Sequence, residues 1–144
     1  MSQIDTYRNT LLRKREELAK LNQDLAKEQA KIAPLQKKII AANGAISRTK
    51  SASTIKSKLN EIDRANKSIA DIQKKCGDIQ KKIAQKEKEL ASADKNYRNE
   101  EAKLNKKAAD AEKKRIQDAA RQSAAMKQAI RHQEQLQAQM QMQL

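Results

Sequence analysis

The sequence is short of the residues that build compact domains. It has no Trp, Phe or Val, and it contains only two Tyr, two Gly and one Pro among 144 residues. A globular domain of this length normally fills its core with aromatic side chains and forms its turns with Gly and Pro. Val, Phe and Trp are also enriched in strands. These absences argue against a compact core and a β-sheet, and they favour long helices with few turns.

The residues that carry chemistry are equally sparse. Cys76 is the only cysteine and His132 the only histidine, so no internal disulfide and no zinc-ligand spacing exist. The sequence has no Gly-rich phosphate loop and no nucleophile elbow. We expect Cys76 to pack as a small apolar residue and His132 to lie on a helix surface. The sequence therefore predicts a protein that is not an enzyme and has no catalytic residues, metal site or cofactor.

Long apolar runs are missing too. The N-terminus, MSQIDTYRNT, lacks the apolar core of a signal peptide, and no later stretch approaches membrane-spanning length. The sequence therefore predicts a cytoplasmic protein without a membrane partner.

Charge is what the chain has in abundance. Charged residues make up 35% of it, and 32 Lys and Arg against 18 Asp and Glu give a net charge of +14. Such a chain attracts polyanions non-specifically. With only two aromatic residues available to stack on bases, the charge mainly indicates a solvated surface. A nucleic-acid-binding helical arm stays open as an alternative.

Apolar residues recur every seven positions in two series, which is typical of a coiled coil. The first series predicts a helix over residues 1–46, with Lys14 and Glu28 as polar interruptions and a kink near Pro34. Asn43-Gly44 is typical of a helix end, which we expect by Ser47. The residues of the first series are Leu11, Leu18, Leu25, Ile32, Ile39 and Ile46.

The second series predicts another coiled-coil helix over residues 55–115. Lys86 interrupts it. Its residues are Ile55, Ile62, Ile69, Cys76, Ile83, Leu90, Tyr97 and Leu104. Both series together are the predicted oligomerisation seam. Beyond them, residues 116–144 are rich in Ala and Gln and are expected to be helical or partly disordered. A helix this polar needs a second chain or a further domain for stability.

The segment 47–54 between the two series is rich in Ser and Thr and predicts a basic turn. We therefore predict an all-α fold, a long antiparallel helical hairpin or coiled coil with an extended C-terminal helix. An open form, in which each long helix pairs with another chain, satisfies the same pattern. In the closed hairpin Lys14 faces Lys86, and we expect water or a carboxylate of another chain between them.

The turn has two interpretations. Its hydroxyl groups cap the incoming helix, or its hydroxyl and basic residues form a recognition loop for an anion or a protein partner. The residues of this candidate recognition loop are Arg48, Thr49, Lys50, Ser51, Ser53, Thr54, Lys56 and Lys58.

The stretch ISRTKSASTIKSKLNEIDR at residues 46–64 resembles the N-terminal coiled-coil region of many prokaryotic Toll/interleukin-1 receptor (TIR) domain proteins. Their pattern runs approximately I-x-K/R-T-x-S-x-S-T-L/I-K-x-K-L-x-E-I-x-R. The likeness covers roughly residues 1–115. It implies a role in antiphage defence, where TIR domains consume NAD or convert it to signalling nucleotides. No TIR domain follows within these 144 residues, so no catalytic residue or NAD site is carried over.

These observations favour a coiled-coil module that forms a homo-oligomer and regulates an effector, as part of a longer protein or as a separate chain. The rival from another class is an export-apparatus stalk, a basic two-helix coiled coil that inserts into an ATPase ring. Such a stalk is expected to be monomeric alone, with helices of more equal length.

Overall fold

The computed structural model describes residues 1–143 and contains three helices, α1 Gln3–Ala30, α2 Ile32–Arg48 and α3 Ala52–Met142. No strand occurs in this range. The predicted all-α fold is confirmed, with an antiparallel hairpin and a long C-terminal helix. Leu144, the last residue of the predicted tail, lies outside the described residues.

The chain divides into two compact units, of which the first is Met1–Tyr97. Within it α1 and α2 together run antiparallel to the first part of α3. Lys14 contacts Glu89, and Glu17 contacts Lys86, so residue numbers across the hairpin rise on one side as they fall on the other. We call this unit, residues 1–97, the hairpin.

The break between α1 and α2 lies at Lys31, one turn before the position expected from Pro34. Proline has no backbone N–H, and its ring collides with the carbonyl of the residue four positions earlier. For Pro34 that residue is Ala30, which is the last residue of α1. The Lys31 N–H instead donates 3.1 Å back to the Glu28 carbonyl. Proline therefore acts on the preceding turn, and Pro34 itself lies in the first turn of α2.

The helix α2 continues through Asn43-Gly44 and ends at Arg48, later than the sequence suggests. Gly44 keeps a negative φ and stays helical, and the Ser47 hydroxyl donates 2.8 Å to its carbonyl. Thr49 then turns to extended backbone, with φ −114° and ψ 150°. The connection to α3 is only residues 49–51, which is shorter than the predicted turn.

Few hairpin residues are buried, and most of those are small. They are Leu11, Ala42, Ala65, Cys76 and Ala93. Small side chains at a helix contact let two backbones come close, while larger aliphatic neighbours cover the edges. In a two-helix hairpin, each seam side chain is covered from solvent by the facing helix on one side only. Most large aliphatic residues of the hairpin seam are therefore half-buried.

The second unit begins at Arg98, and its described part is the rest of α3 with Gln143. We call residues 98–143 the C-terminal segment. Every residue from 101 to 143 is exposed, including several large apolar ones.

Candidate interaction surfaces

The predicted seam divides between the two units. Thirteen of its fourteen residues belong to the hairpin and are buried or half-buried, from Leu11 to Tyr97. These are Leu11, Leu18, Leu25, Ile32, Ile39, Ile46, Ile55, Ile62, Ile69, Cys76, Ile83, Leu90 and Tyr97. Leu104 belongs to the C-terminal segment and is 41% exposed. The seam residues of the hairpin thus pack within one chain.

A ring of four charged side chains interrupts the seam, and we call it the polar layer: Lys14, Glu17, Lys86 and Glu89. Across the hairpin, Lys14 Nζ lies 3.3 Å from Glu89 Oε1 and Lys86 Nζ lies 2.6 Å from Glu17 Oε2. Along the helices, Lys14 lies 3.8 Å from Glu17 and Lys86 lies 3.5 Å from Glu89. Each lysine therefore contacts both carboxylates.

The polar layer corrects the sequence-based expectation. Lys14 and Lys86 do lie at one level, but the carboxylates beside them come from the same chain and not from another one. Sequence reasoning missed Glu17 and Glu89, although each follows its lysine by three positions. On a helix this spacing places both side chains on one face. The repeated K-x-x-E pattern was the available signal.

The electrostatics follow from these contacts. The Lys86 ammonium lowers the pKa of Glu17, and Lys14 and Arg13 add to that effect. In return Glu17, with a smaller contribution from Glu89, raises the pKa of Lys86. The lowered pKa of Glu17 and the raised pKa of Lys86 keep this pair charged at neutral pH. Such a layer holds the register, because shifting one helix would separate the pairs.

Glu28, the second polar interruption of the seam, also lies close to lysine side chains. Its carboxylate accepts a hydrogen bond of 2.8 Å from Lys31, and this contact lowers the pKa of Glu28. The charge of Lys75 on α3 lowers it further. Residues 28 and 75 follow the same register as the polar layer, since their numbers, like 14 and 89, sum to 103.

The turn uses its hydroxyl groups to start α3. Ser51 precedes the helix, and its Oγ accepts a hydrogen bond of 3.3 Å from the Thr54 N–H, which is N-capping geometry. The same Oγ lies 3.1 Å from the Ser53 hydroxyl. The Thr49 hydroxyl accepts 3.2 Å from the Ser51 N–H. The hydroxyl groups of three predicted recognition residues, Thr49, Ser51 and Ser53, are thus engaged in the turn itself.

The basic residues around the turn differ from one another in position and exposure. The Arg48 guanidinium lies back along α2, near Gly44. Lys58 is half-buried and pairs with Glu61 at 3.4 Å. Lys50 and Lys56 are exposed. The turn therefore offers two exposed lysines beside a capped helix start, and its role in recognition stays a prediction.

At the far end of the hairpin, the Arg8 guanidinium lies 5.8 Å from the centre of the Tyr97 ring, within reach of a cation–π contact. Arg8 also pairs with Asp5 at 3.2 Å. Tyr97, the last seam residue of the hairpin, thus contacts the first turns of α1.

Two kinds of site are not found in the described part of the chain. Among residues 1–143 no three His, Cys, Asp or Glu side chains lie together as a metal ion would require. No described helix combines the length and the apolar character needed to cross a bilayer.

Comparisons with protein-family models, with curated proteins and with solved structures find no match.

Proposed function

We propose that the chain is a non-catalytic coiled-coil module that self-associates through its C-terminal segment and regulates an effector. The observation that carries the proposal is the exposure of that segment. Ile116, Met126, Ile130 and Met140 are 50% to 68% exposed on a helix of 91 residues. Helices in water draw most of their stability from packing an apolar face. The part of this helix from residue 101 to Met142 has no covered face, and such a segment calls for a partner.

The effector half of the proposal rests on the resemblance of residues 46–64 to the coiled-coil region of TIR-domain proteins. By that likeness the effector is an NAD-consuming enzyme of prokaryotic defence. Self-association would bring effector domains together and raise their effective concentration. The turn, with Lys50 and Lys56 exposed, is the surface we assign to contact with the effector.

Helix lengths and net charge bear on the two alternative functions. The stalk alternative requires helices of similar length, whereas α1 and α2 have 28 and 17 residues and α3 has 91. The nucleic-acid alternative has the net charge of +14 in its favour. It predicts that affinity for duplex DNA or RNA falls steeply with salt, in proportion to the phosphates contacted.

Sedimentation equilibrium of the full chain tests the proposal. It is run at about 0.1 M and 0.5 M salt, because the distance over which charges interact is roughly 10 Å at the lower concentration and shorter at the higher one. We expect a dimer or larger species at both salt concentrations, since apolar packing is not screened. A monomer at both would overturn the proposal and favour the stalk.

A further inference from the structure

The C-terminal segment carries a heptad series of its own, displaced from the series that ends at Leu104. Between residues 116 and 140 its four large members are Ile116 and Ile130 at the first core position and Met126 and Met140 at the second. All four are exposed. A spacing of fourteen residues, or two heptads, within each pair places them on one stripe of α3. Leu136, which is 45% exposed, lies beside the core position of Gln137 and outside the series. Ser123, Gln137, Ala119 and Gln133 occupy the remaining core positions.

This series is symmetric about residue 128. Ile116 and Met140 lie twelve positions either side of it, and Met126 and Ile130 lie two positions either side. The small and polar members obey the same symmetry, since Ala119 mirrors Gln137 and Ser123 mirrors Gln133. A parallel pairing needs no such arrangement, because it places each residue beside its own copy.

We infer that residues 116–140 pair with the same residues of a second copy in antiparallel orientation, centred on residue 128. This inference rests on the proposed self-association and specifies its geometry. In an antiparallel coiled coil, first and second core positions of opposite chains share a layer. Ile116 then faces Met140 of the second copy, and Met126 faces Ile130.

The second copy is the occupant because the surface is complementary to itself. In a two-fold interface, if residue i contacts residue j, then j contacts i. Each large apolar residue of the stripe has a large apolar partner under this operation, and each small or polar one has a small or polar partner. An unrelated partner helix would require no symmetry within this chain. Self-pairing is favoured because all four mirror pairs of core positions join residues of the same class, large apolar in two pairs and small or polar in the other two.

One flanking residue distinguishes the two orientations. Lys127 occupies the position next to Met126, one residue from the centre of symmetry. In the antiparallel pair it lies beside Lys127 of the second copy, and like charges placed side by side repel. In a parallel pair its neighbour across the interface is Gln122. We therefore expect Lys127→Gln to tighten the antiparallel dimer several-fold and to leave a parallel dimer nearly unchanged.

Disulfide trapping tests the orientation directly. In a Cys76→Ala background, which removes the only native thiol, chains with Ile116→Cys are mixed with tagged chains with Met140→Cys under a glutathione redox buffer. Gln117→Cys with Gln139→Cys is the matched control, since these positions share the level but lie away from the stripe. Sedimentation of the same reduced samples reports whether a dimer exists.

We expect the 116–140 mixture to give a mixed disulfide several-fold in excess of the control mixture. Two results would overturn the antiparallel inference while leaving self-association in place. One is a dimer in which Ile116→Cys chains alone cross-link as readily as the mixture, which is the parallel outcome. The other is a dimer with no cross-linking above the control. A monomeric reduced sample would overturn the proposed self-association itself.

Discussion

Two adjacent leucines near the start of α1 differ in what they contribute. Leu11 is 5% exposed against α3, whereas Leu12 is 47% exposed. We expect Leu11→Ala to destabilise the hairpin by about 2 kcal/mol or more, because it removes buried methyl groups and leaves a cavity. Leu12→Ala, the matched control, is expected to change stability by about 0.5 kcal/mol or less. Urea unfolding followed by circular dichroism compares them, and equal effects would contradict the assigned seam.

Glu17 makes the stability of the hairpin depend on pH. Its folded-state pKa lies below the ordinary value of 4.5, so its contribution to stability is full above that value and is lost as the pH falls through the folded-state pKa. We expect Glu17→Gln to lower the melting temperature at pH 7 by a few degrees. The difference from the unsubstituted chain is expected to close on acidification, once Glu17 is protonated in both states.

The control for this prediction is Glu16→Gln, because Glu16 is an exposed neighbour of the same chemistry. Melting curves between pH 7 and pH 3 for all three chains make the comparison. The account of the polar layer fails if Glu17→Gln and Glu16→Gln have the same melting temperature throughout.

At the scale of elements, the start of α3 depends on Ser51. Ser51→Ala removes the oxygen that accepts the Thr54 N–H, and loss of such a cap costs about 1 kcal/mol. Ser57→Ala, at an exposed position inside α3, is the matched control and is expected to be neutral within about 0.5 kcal/mol. Urea unfolding measures both variants. A Ser51→Ala chain as stable as the control would mean that the turn is held by other contacts.

The break at Lys31 is assigned to Pro34, and this assignment predicts the effect of removing the proline. Pro34→Ala restores an N–H that can donate to the Ala30 carbonyl, so α1 and α2 are expected to merge into one helix. Hydrogen exchange of peptides that cover residues 28–36 measures the change. We expect slower exchange in the variant, and an unchanged rate would show that another feature breaks the helix.

Much of the hairpin could be predicted from the sequence because heptad spacing is a direct consequence of helix geometry. The series from Leu11 to Tyr97 identifies residues that are buried or half-buried in the structure. The helix ends at Ala30 and Arg48 were predicted less well. Proline acts four residues upstream of its own position, and Asn43-Gly44 can remain helical when packing continues past it.

The polar layer was harder to predict for a different reason. Heptad notation records only core positions, and it showed Lys14 and Lys86 facing one another without the carboxylates beside them. Glu17 and Glu89 contact the lysines from the edge of the seam. Pairing along and across helices must be considered together to find them.

At the scale of the whole molecule, the two units handle their apolar residues differently. The hairpin covers its seam within one chain, from Leu11 to Tyr97, whereas residues 101–143 have every side chain exposed. We therefore assign closure within one chain to the first unit and self-association to the second. Both units contain a part of the helix α3.

The most direct test of this division is the mass in solution of the full chain carrying Met126→Glu and Ile130→Glu. The control carries Gln117→Glu and Ala124→Glu, which add the same charge to the same segment away from the stripe. The account predicts a monomer for the first variant and a dimer or larger species for the control, with the hairpin still folded in both. A first variant that stays associated, with the mass of the control, would contradict it and would place the association in the hairpin.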